Sequence, residues 1–377
     1  MYILNLELIN YRLFKESSFK FNKGINIIFG YNSTGKTSIL EAINLILTGI
    51  AINNENIINF GSDFANIFAN IMKDNITHNL KLIIKKIDEQ KLRKFFFLNE
   101  KKIKNYEELR NNFSIIFLSL KDILLVNSEP SVKRDFLDRF LIVLFKDYYD
   151  SLINYKKTLF NKNKLLYNLK INQSIDYEIL DILNENIVNY SVFISLKRIE
   201  IFYRIKEYIN NYLKFLLPNF EFSFIYDISG IYKIDIEKVN LNQEVLRNFY
   251  FQALKKNKKK ELSIYKSVIG ASKDNFEILI KNSNNINVKY FLSLSQINLL
   301  SLAIFFSLKK IIKQFFNYDP ILLLDEPFVY LDKNNVKKVL NLLFENTQSI
   351  FTTNNIDLLH FIFDSFDNIN VIKLKTD

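Results

Sequence analysis

Cysteine is absent from the 377-residue sequence, so neither disulfides nor thiolate zinc sites hold the chain together. Tryptophan is absent too, and methionine, proline and glycine number only 2, 4 and 7. Lys, Asn, Ile, Phe and Tyr are overused instead, a bias that adenine/thymine-rich codons produce without any binding function. No apolar run reaches the length of a membrane span, because Asn, Lys or Asp interrupts each one first. No charged-then-apolar leader opens the sequence, since Met1-Tyr2-Ile3-Leu4-Asn5-Leu6-Glu7-Leu8 already alternates as a strand does. The expectation from these absences is a soluble cytoplasmic protein with no membrane partner. Acidic residues are also short: 40 Asp and Glu face 51 Lys and Arg, for a net charge of +11 and a pI near 9.3. A polyanionic partner fits that excess, and so does codon bias. Charge supports a nucleic-acid function without revealing it.

What is present is ample core, with 49% hydrophobic residues, enough for one large or two to three ordinary domains. The organising stretch is Gly30-Tyr31-Asn32-Ser33-Thr34-Gly35-Lys36-Thr37, a complete G-x-x-x-x-G-K-T. Ile25–Phe29 before it predicts a buried strand, and Ser38–Leu47 after it spaces apolar residues as a helix does. Strand, glycine-bounded loop and helix together make a phosphate site. Backbone N–H groups of the loop and first turn converge on one point, where the helix dipole also attracts an anion. Gly30 and Gly35 let the backbone approach without a Cβ in the way. Lys36 is placed to reach the β- and γ-phosphates and the Thr37 hydroxyl to hold Mg2+. The chain is expected to bind a nucleoside triphosphate through residues 30–37 and Ser38.

Residues 2–9, 18–22 and 25–29 read as strands, and residues 51–76, rich in Asn, as an irregular surface loop with one short helix. Leu80–Lys86 and Lys94–Leu98 read as a hairpin, Ser114–Phe117 as a buried strand. Val132–Leu169 and Tyr177–Leu217 predict two long charged helical stretches, the second stopped by Pro218. They form either a protruding arm or an ordinary packed subdomain, since periodicity fixes faces and not partners. Phe220–Tyr226 alternates as a strand. Lys255–Lys260 is the densest positive run, suited to DNA phosphates or to a solvated helix end. Pro320-Ile321-Leu322-Leu323-Leu324-Asp325-Glu326-Pro327 is an apolar strand ending in two acids, buried on both faces as in a parallel sheet. Asp325 would take the Mg2+ side and Glu326 would polarise an attacking water. His360, in an apolar helical stretch, reads as a structural histidine.

These two motifs lie almost three hundred residues apart with helices between them. That arrangement resembles the ABC-type ATPase heads of the SMC family and, within it, the RecF family of bacterial recombination mediators. Leu6–Arg12 resembles the family's opening strand, and Gly30–Ile43 its phosphate loop followed by L-L-E-A-I. Ser128–Arg139 is similar to the family's S-P-x-x-R-R-x-F-L-D-R. Leu292-Ser293-Leu294-Ser295-Gln296 occupies the signature position, with Ser293 and Gln296 matching. Its glycine is Ser295 here, and the arginine that usually follows is Asn298. The family's G-P-H-R-D is reduced to Gly270-Ala271-Ser272-Lys273-Asp274. Tyr330-Leu331-Asp332 matches the D-loop, Phe351-Thr352-Thr353-Asn354 the switch strand, and Arg12 a nucleotide-contacting basic residue.

The resemblance implies an α/β fold: an ABC/SMC-type ATPase head with mixed β-sheets around the P-loop, plus an inserted helical arm or lid. Residues 1–130 and 219–377 would form the two parts of the head and 131–218 the arm. It also implies an ATP-dependent DNA-binding protein acting at single-strand gaps, with RecO and RecR as partners in loading RecA. Two copies would close around ATP and Mg2+, with Ser293 and Gln296 acting in trans and Lys36 and Glu326 in catalysis. The Ser295 Cβ, in place of glycine, obstructs close backbone approach to the γ-phosphate and predicts a weak or slow sandwich dimer, while the γ-phosphate's service as a dimer latch predicts slow turnover. A transporter ATPase subunit is a rival, but it places its signature about a hundred residues after the phosphate loop. Another SMC-like head would need longer coiled-coil arms than this chain supplies. A hydrolysis-poor DNA-binding scaffold of the same fold is the third alternative.

Overall fold

The computed structural model describes all residues except 53–55, 89–90, 105, 172–173, 175, 237–241, 282–284, 345–346 and 375–377. It divides into two compact units, Met1–Ile123 with Leu308–Asp377, and Leu124–Ser307.

The first unit opens with strands β1 (Tyr2–Tyr11), β2 (Phe14–Lys20) and β3 (Ile25–Phe29), then helix α1 (Lys36–Thr48). Next come β4 (Phe64–Lys73), β5 (Ile76–Asp88), β6 (Lys91–Leu98), β7 (Lys101–Lys102), α2 (Glu107–Asn112) and β8 (Ile115–Leu118). Six of these strands form an antiparallel sheet in the order β2-β1-β4-β5-β6-β7. One face buries Leu6, Leu8, Ile67, Ile71, Leu82 and Phe96 in the core that also takes Ile39, Ile43 and Ile46 of α1. The other face is solvated, as period-two alternation allows. β4 lies where an irregular loop was expected. Its inward residues Ala65, Ile67, Ala69 and Ile71 are buried, while Asn66 and Asn70 alternate with them and mask the pattern. Asp74 and Asn75, both at positive φ, close the β4–β5 hairpin, where glycine is the more usual choice.

The second unit holds α3 (Pro130–Leu144), α4 (Lys146–Lys170), α5 (Tyr177–Leu216), β9 (Phe222–Ile228), β10 (Tyr232–Asp235) and α6 (Gln243–Ile264). It continues with β11 (Asn275–Ile280), β12 (Ile286–Asn287) and α7 (Leu294–Phe316), inside which the division between units falls. The stretch expected as one helical run from 132 to 169 is two helices, because Phe145 takes an extended conformation between them. Proline opens α3 at its first turn, where a missing N–H costs nothing. α4 packs on α5 and α5 on α6, a packed helical group rather than a bare hairpin. The 255–260 lysine run lies within α6, its lysines exposed. A four-stranded antiparallel sheet, β10-β9-β11-β12, belongs to the same unit. The compact units thus put 219–307 with the helices, where the sequence division had set a boundary at 218/219.

Beneath these helices lies a buried polar cluster. Arg198 donates to both carboxylate oxygens of Asp138 at 2.9 Å, and Tyr148 donates to Asp138 at 2.6 Å. Asp274, fully buried, accepts from Tyr226, Tyr250 and Ser195.

The chain then returns to the first unit with β13 (Ile321–Leu324), α8 (Lys333–Leu343), β14 (Ser349–Thr353), α9 (Ile356–Ser365) and β15 (Asn370–Lys373). These complete an all-parallel sheet, β15-β3-β14-β13-β8. Ile321–Leu324 is fully buried, as continuous apolarity predicts for a central parallel strand. His360 is exposed on α9 rather than packed in a core. Among the described residues no helix is long and apolar enough to cross a membrane.

Candidate nucleotide site

The parallel sheet places the carboxyl ends of β3, β13 and β14 side by side, the edge where open α/β sheets bind ligands. The loop from Gly30 to Gly35 leaves β3 and enters α1. Gly35 sits at φ +90°, and a Cβ there would lie 2.7 Å from the Phe14 ring. A Cβ at Gly30 would lie 2.6 Å from the Thr34 hydroxyl. Both glycines are therefore required by space, and Gly35 also by conformation. Ser33 takes positive φ without being glycine, and Thr34 donates its hydroxyl to the Tyr31 carbonyl at 2.9 Å. Asn354, just past β14, donates to the Asn32 side chain at 2.9 Å, tying the loop tip to the neighbouring strand.

Lys36 is buried, its ammonium donating to the carbonyls of Gly30 at 2.8 Å and Tyr31 at 3.0 Å. Glu326 lies 3.4 Å from the same ammonium. Burial raises the Glu326 carboxyl above the usual range, and Lys36 partly opposes that. Glu326 also holds φ at +50°, a rare conformation for a non-glycine residue. Its N–H donates to Thr352 Oγ1 at 2.9 Å, and Thr352 in turn donates to Asp325 Oδ1 at 2.7 Å. The other Asp325 oxygen accepts from Thr37 at 2.9 Å, although the two residues are 288 positions apart. Residues from both ends of the chain thus share one pocket. Ser38 is buried in the first turn of α1, and Tyr31 is exposed on the loop.

The donor set fits a triphosphate with Mg2+. A buried ammonium and a left-handed glycine turn face one spot, and a hydroxyl–carboxylate pair stands beside them. Among the described residues no group of three His, Cys, Asp or Glu could hold a metal unaided. That suits Mg2+, which keeps waters and takes one or two carboxylates plus substrate phosphates.

Arg12, at the end of β1, pairs with Glu41 at 2.7 Å. Burial raises the Glu41 carboxyl, with Arg12 opposing and Asp325 adding to the effect. Asp332 caps α8 by accepting from the Asn335 N–H at 2.8 Å. Ser293 and Gln296 belong to the other compact unit, at the start of α7. They bond each other reciprocally, at 2.9 and 3.4 Å, as a capping box does. Ser295 is half-buried and Asn298 buried on the same helix.

Sequence reading did not assign Glu41, Phe14 or the Asp325–Thr352 bond. Glu41 had a signal, an acid one helical turn beyond Thr37. Phe14 had none, because its contact with Gly35 exists only once β2 has paired with β1.

Residues 2–371 match the family described as RecF/RecN/SMC N terminal domain. The "DNA replication and repair protein RecF" of Clostridium perfringens (strain SM101 / Type A) is 30% identical over 364 residues, covering 95% of this chain and 94% of that protein. The RecF of Clostridium kluyveri is 32% identical over 365 residues, covering 95% and 94%. A solved structure described as the recombination mediator protein RecF-ATP in the RecFOR pathway superposes with a TM-score of 0.80 at 25% identity, covering 94% of this chain and 92% of that one. With its parallel-sheet P-loop, its distant acidic strand and relatives matched almost end to end, this chain belongs to the RecF/RecN/SMC N-terminal-domain family.

Proposed function

We propose that this chain is an ATP-binding protein of DNA replication and repair whose nucleotide site works as a switch. The observation that carries the reading is the Thr37–Asp325 hydrogen bond beside the buried Lys36, which joins two motifs 288 positions apart in one pocket. Relatives named for DNA replication and repair, matched over 95% of this chain, support the rest. ATP, when bound, supplies the phosphoanhydride whose cleavage resets the switch. Lys36 holds positive charge at the loop, and Thr37 with Asp325 would hold Mg2+. Glu326, its carboxyl pushed up by burial, takes a proton from a water as general base. Residues 30–38 and Arg12 line the nucleotide. Ser293, Gln296 and Asp332 of a second copy complete the site, so the working form is an ATP-dependent homodimer. Its substrate is DNA at a single-strand gap in the cytoplasm, and RecO and RecR are its partners.

The switch is tested with Lys36→Arg and Glu326→Gln by sedimentation with ATP and gapped DNA. Lys36→Arg is expected to lose ATP-driven dimerisation, and Glu326→Gln to accumulate a DNA-bound dimer. Variants that dimerise and bind DNA like the wild type, with or without ATP, would end the reading. Ser295 and Asn298 at signature positions favour a second reading, a DNA-binding scaffold with little hydrolysis. Steady-state turnover with and without DNA separates the two.

A further inference from the structure

The solvated face of the six-stranded antiparallel sheet has a composition that a merely wetted surface does not need. Register sets Ser18, Glu7, Phe68, Lys81, Phe97 and Lys102 side by side across the six strands. The next tier pairs Ile83 with Phe95, and the one beyond sets Phe64, Lys85 and Arg93 together. Phe68, Phe95 and Phe97 are partly exposed and Phe64 is 42% exposed. Polar residues are the ordinary choice on such a face.

Two of the rings, Phe68 and Phe95, have a cation over them, and register sets Phe97 between Lys81 and Lys102. Lys81 Nζ lies 5.3 Å from the Phe68 ring centre and Lys102 Nζ 4.9 Å from that of Phe95. The Arg93 guanidinium is 5.9 Å from Phe95. No carboxylate of the described residues pairs with Lys81, Lys85 or Lys102. A depression of about 470 Å³, lined by Phe68, Asn70, Asn79, Lys81 and Phe97 with Glu100 at its rim, opens at one end of this lattice.

Rings and cations sharing one face of a sheet match one chemistry closely. A single strand offers a base face and a phosphate at every nucleotide, and proteins hold it with aromatic platforms beside basic residues. A duplex hides its base faces, so the rings would gain nothing from it. We propose that this face is a stacking platform for single-stranded DNA. Phe68, Phe95 and Phe97 take base faces, while Lys81, Lys85, Arg93 and Lys102 take phosphates. The inference rests on the DNA-binding reading above and adds the place and the mode of contact.

The test measures binding of an oligo(dT) and of a duplex of equal length to the full chain. Phe68→Leu/Phe97→Leu keeps apolar bulk but removes the rings. It is expected to weaken oligo(dT) binding about tenfold or more and leave duplex and ATP binding within about twofold. Lys81→Gln/Lys102→Gln, at two exposed positions, is expected to lower the salt slope for the single strand by about one to one and a half. Wild-type protein irradiated with 5-iodouracil-substituted oligonucleotide is expected to cross-link through peptides carrying Phe68 or Phe97. Ring variants that bind oligo(dT) like the wild type, equal losses on both DNAs, or cross-links confined to other segments would each overturn the platform. Wild type that binds duplex but no single strand overturns it alone. Wild type that binds neither DNA also removes the reading beneath it.

Discussion

The nucleotide site of the first unit and the polar cluster of the second use the same groups to opposite ends. Asp138 and Asp274 are buried and hydrogen-bonded: Arg198 meets Asp138 through two bonds, and tyrosine hydroxyls donate to Asp274. Around Lys36 the ammonium rests on two backbone carbonyls and a glutamate at 3.4 Å, with that glutamate in a strained conformation. A buried network that is satisfied rigidifies a fold, whereas one held by exchangeable partners and local strain is kept for a ligand. The comparison teaches that burial and charge do not by themselves mark a site. The quality of the partners does.

The sharpest break of that comparison is Asp138→Ala, which leaves Arg198 buried without its carboxylate. Urea unfolding is expected to show a loss of about 3–5 kcal/mol, and a loss under ~1 kcal/mol would mean the cluster is not structural. Glu326→Gln follows, with turnover expected to fall about 10²–10³-fold while stability holds or rises. The rising limb of the wild-type pH–rate profile should sit above the ordinary glutamate range, because burial keeps Glu326 protonated to higher pH. A Gln variant that retains the limb would assign it elsewhere.

Lys133 sharpens the comparison within the second unit. Its ammonium donates to the Phe276 carbonyl, yet burial lowers its pKa to about 8. The folded state therefore binds fewer protons than the unfolded state above that value. Stability should rise with pH between about 8 and 10, by on the order of 1–3 kcal/mol, and Lys133→Met should flatten the rise. The smallest effect is Asp332→Ala, which removes a helix cap at a cost of about 1 kcal/mol in thermal unfolding. A much larger effect on ATP-driven dimerisation than on unfolding would show that Asp332 does more than cap α8.

Much of the site could be read directly. Gly30, Gly35, Lys36 and Thr37 carry their chemistry at fixed local spacing, and Ile321–Leu324 reads as a buried parallel strand from apolarity alone. The lost element was β4. Its inward alanines and isoleucines follow period two, but outward asparagines imitate a loop, and only pairing with β1 and β5 shows which face is which. The break at Phe145 was missed for a similar reason, since helical spacing continues across it. The second unit's sheet was read only at its first strand, because β11 and β12 are short and gain stability from pairing.

By itself the sequence determined the phosphate loop, the helix that follows it and the acidic strand, because each rests on residues within one turn or one strand. Tertiary structure alone decided that Thr37 meets Asp325, that Phe14 covers Gly35, and that phenylalanines and lysines of four strands share one open face. Those outcomes depend on strand register and sheet order, which are set by packing between segments far apart in the chain.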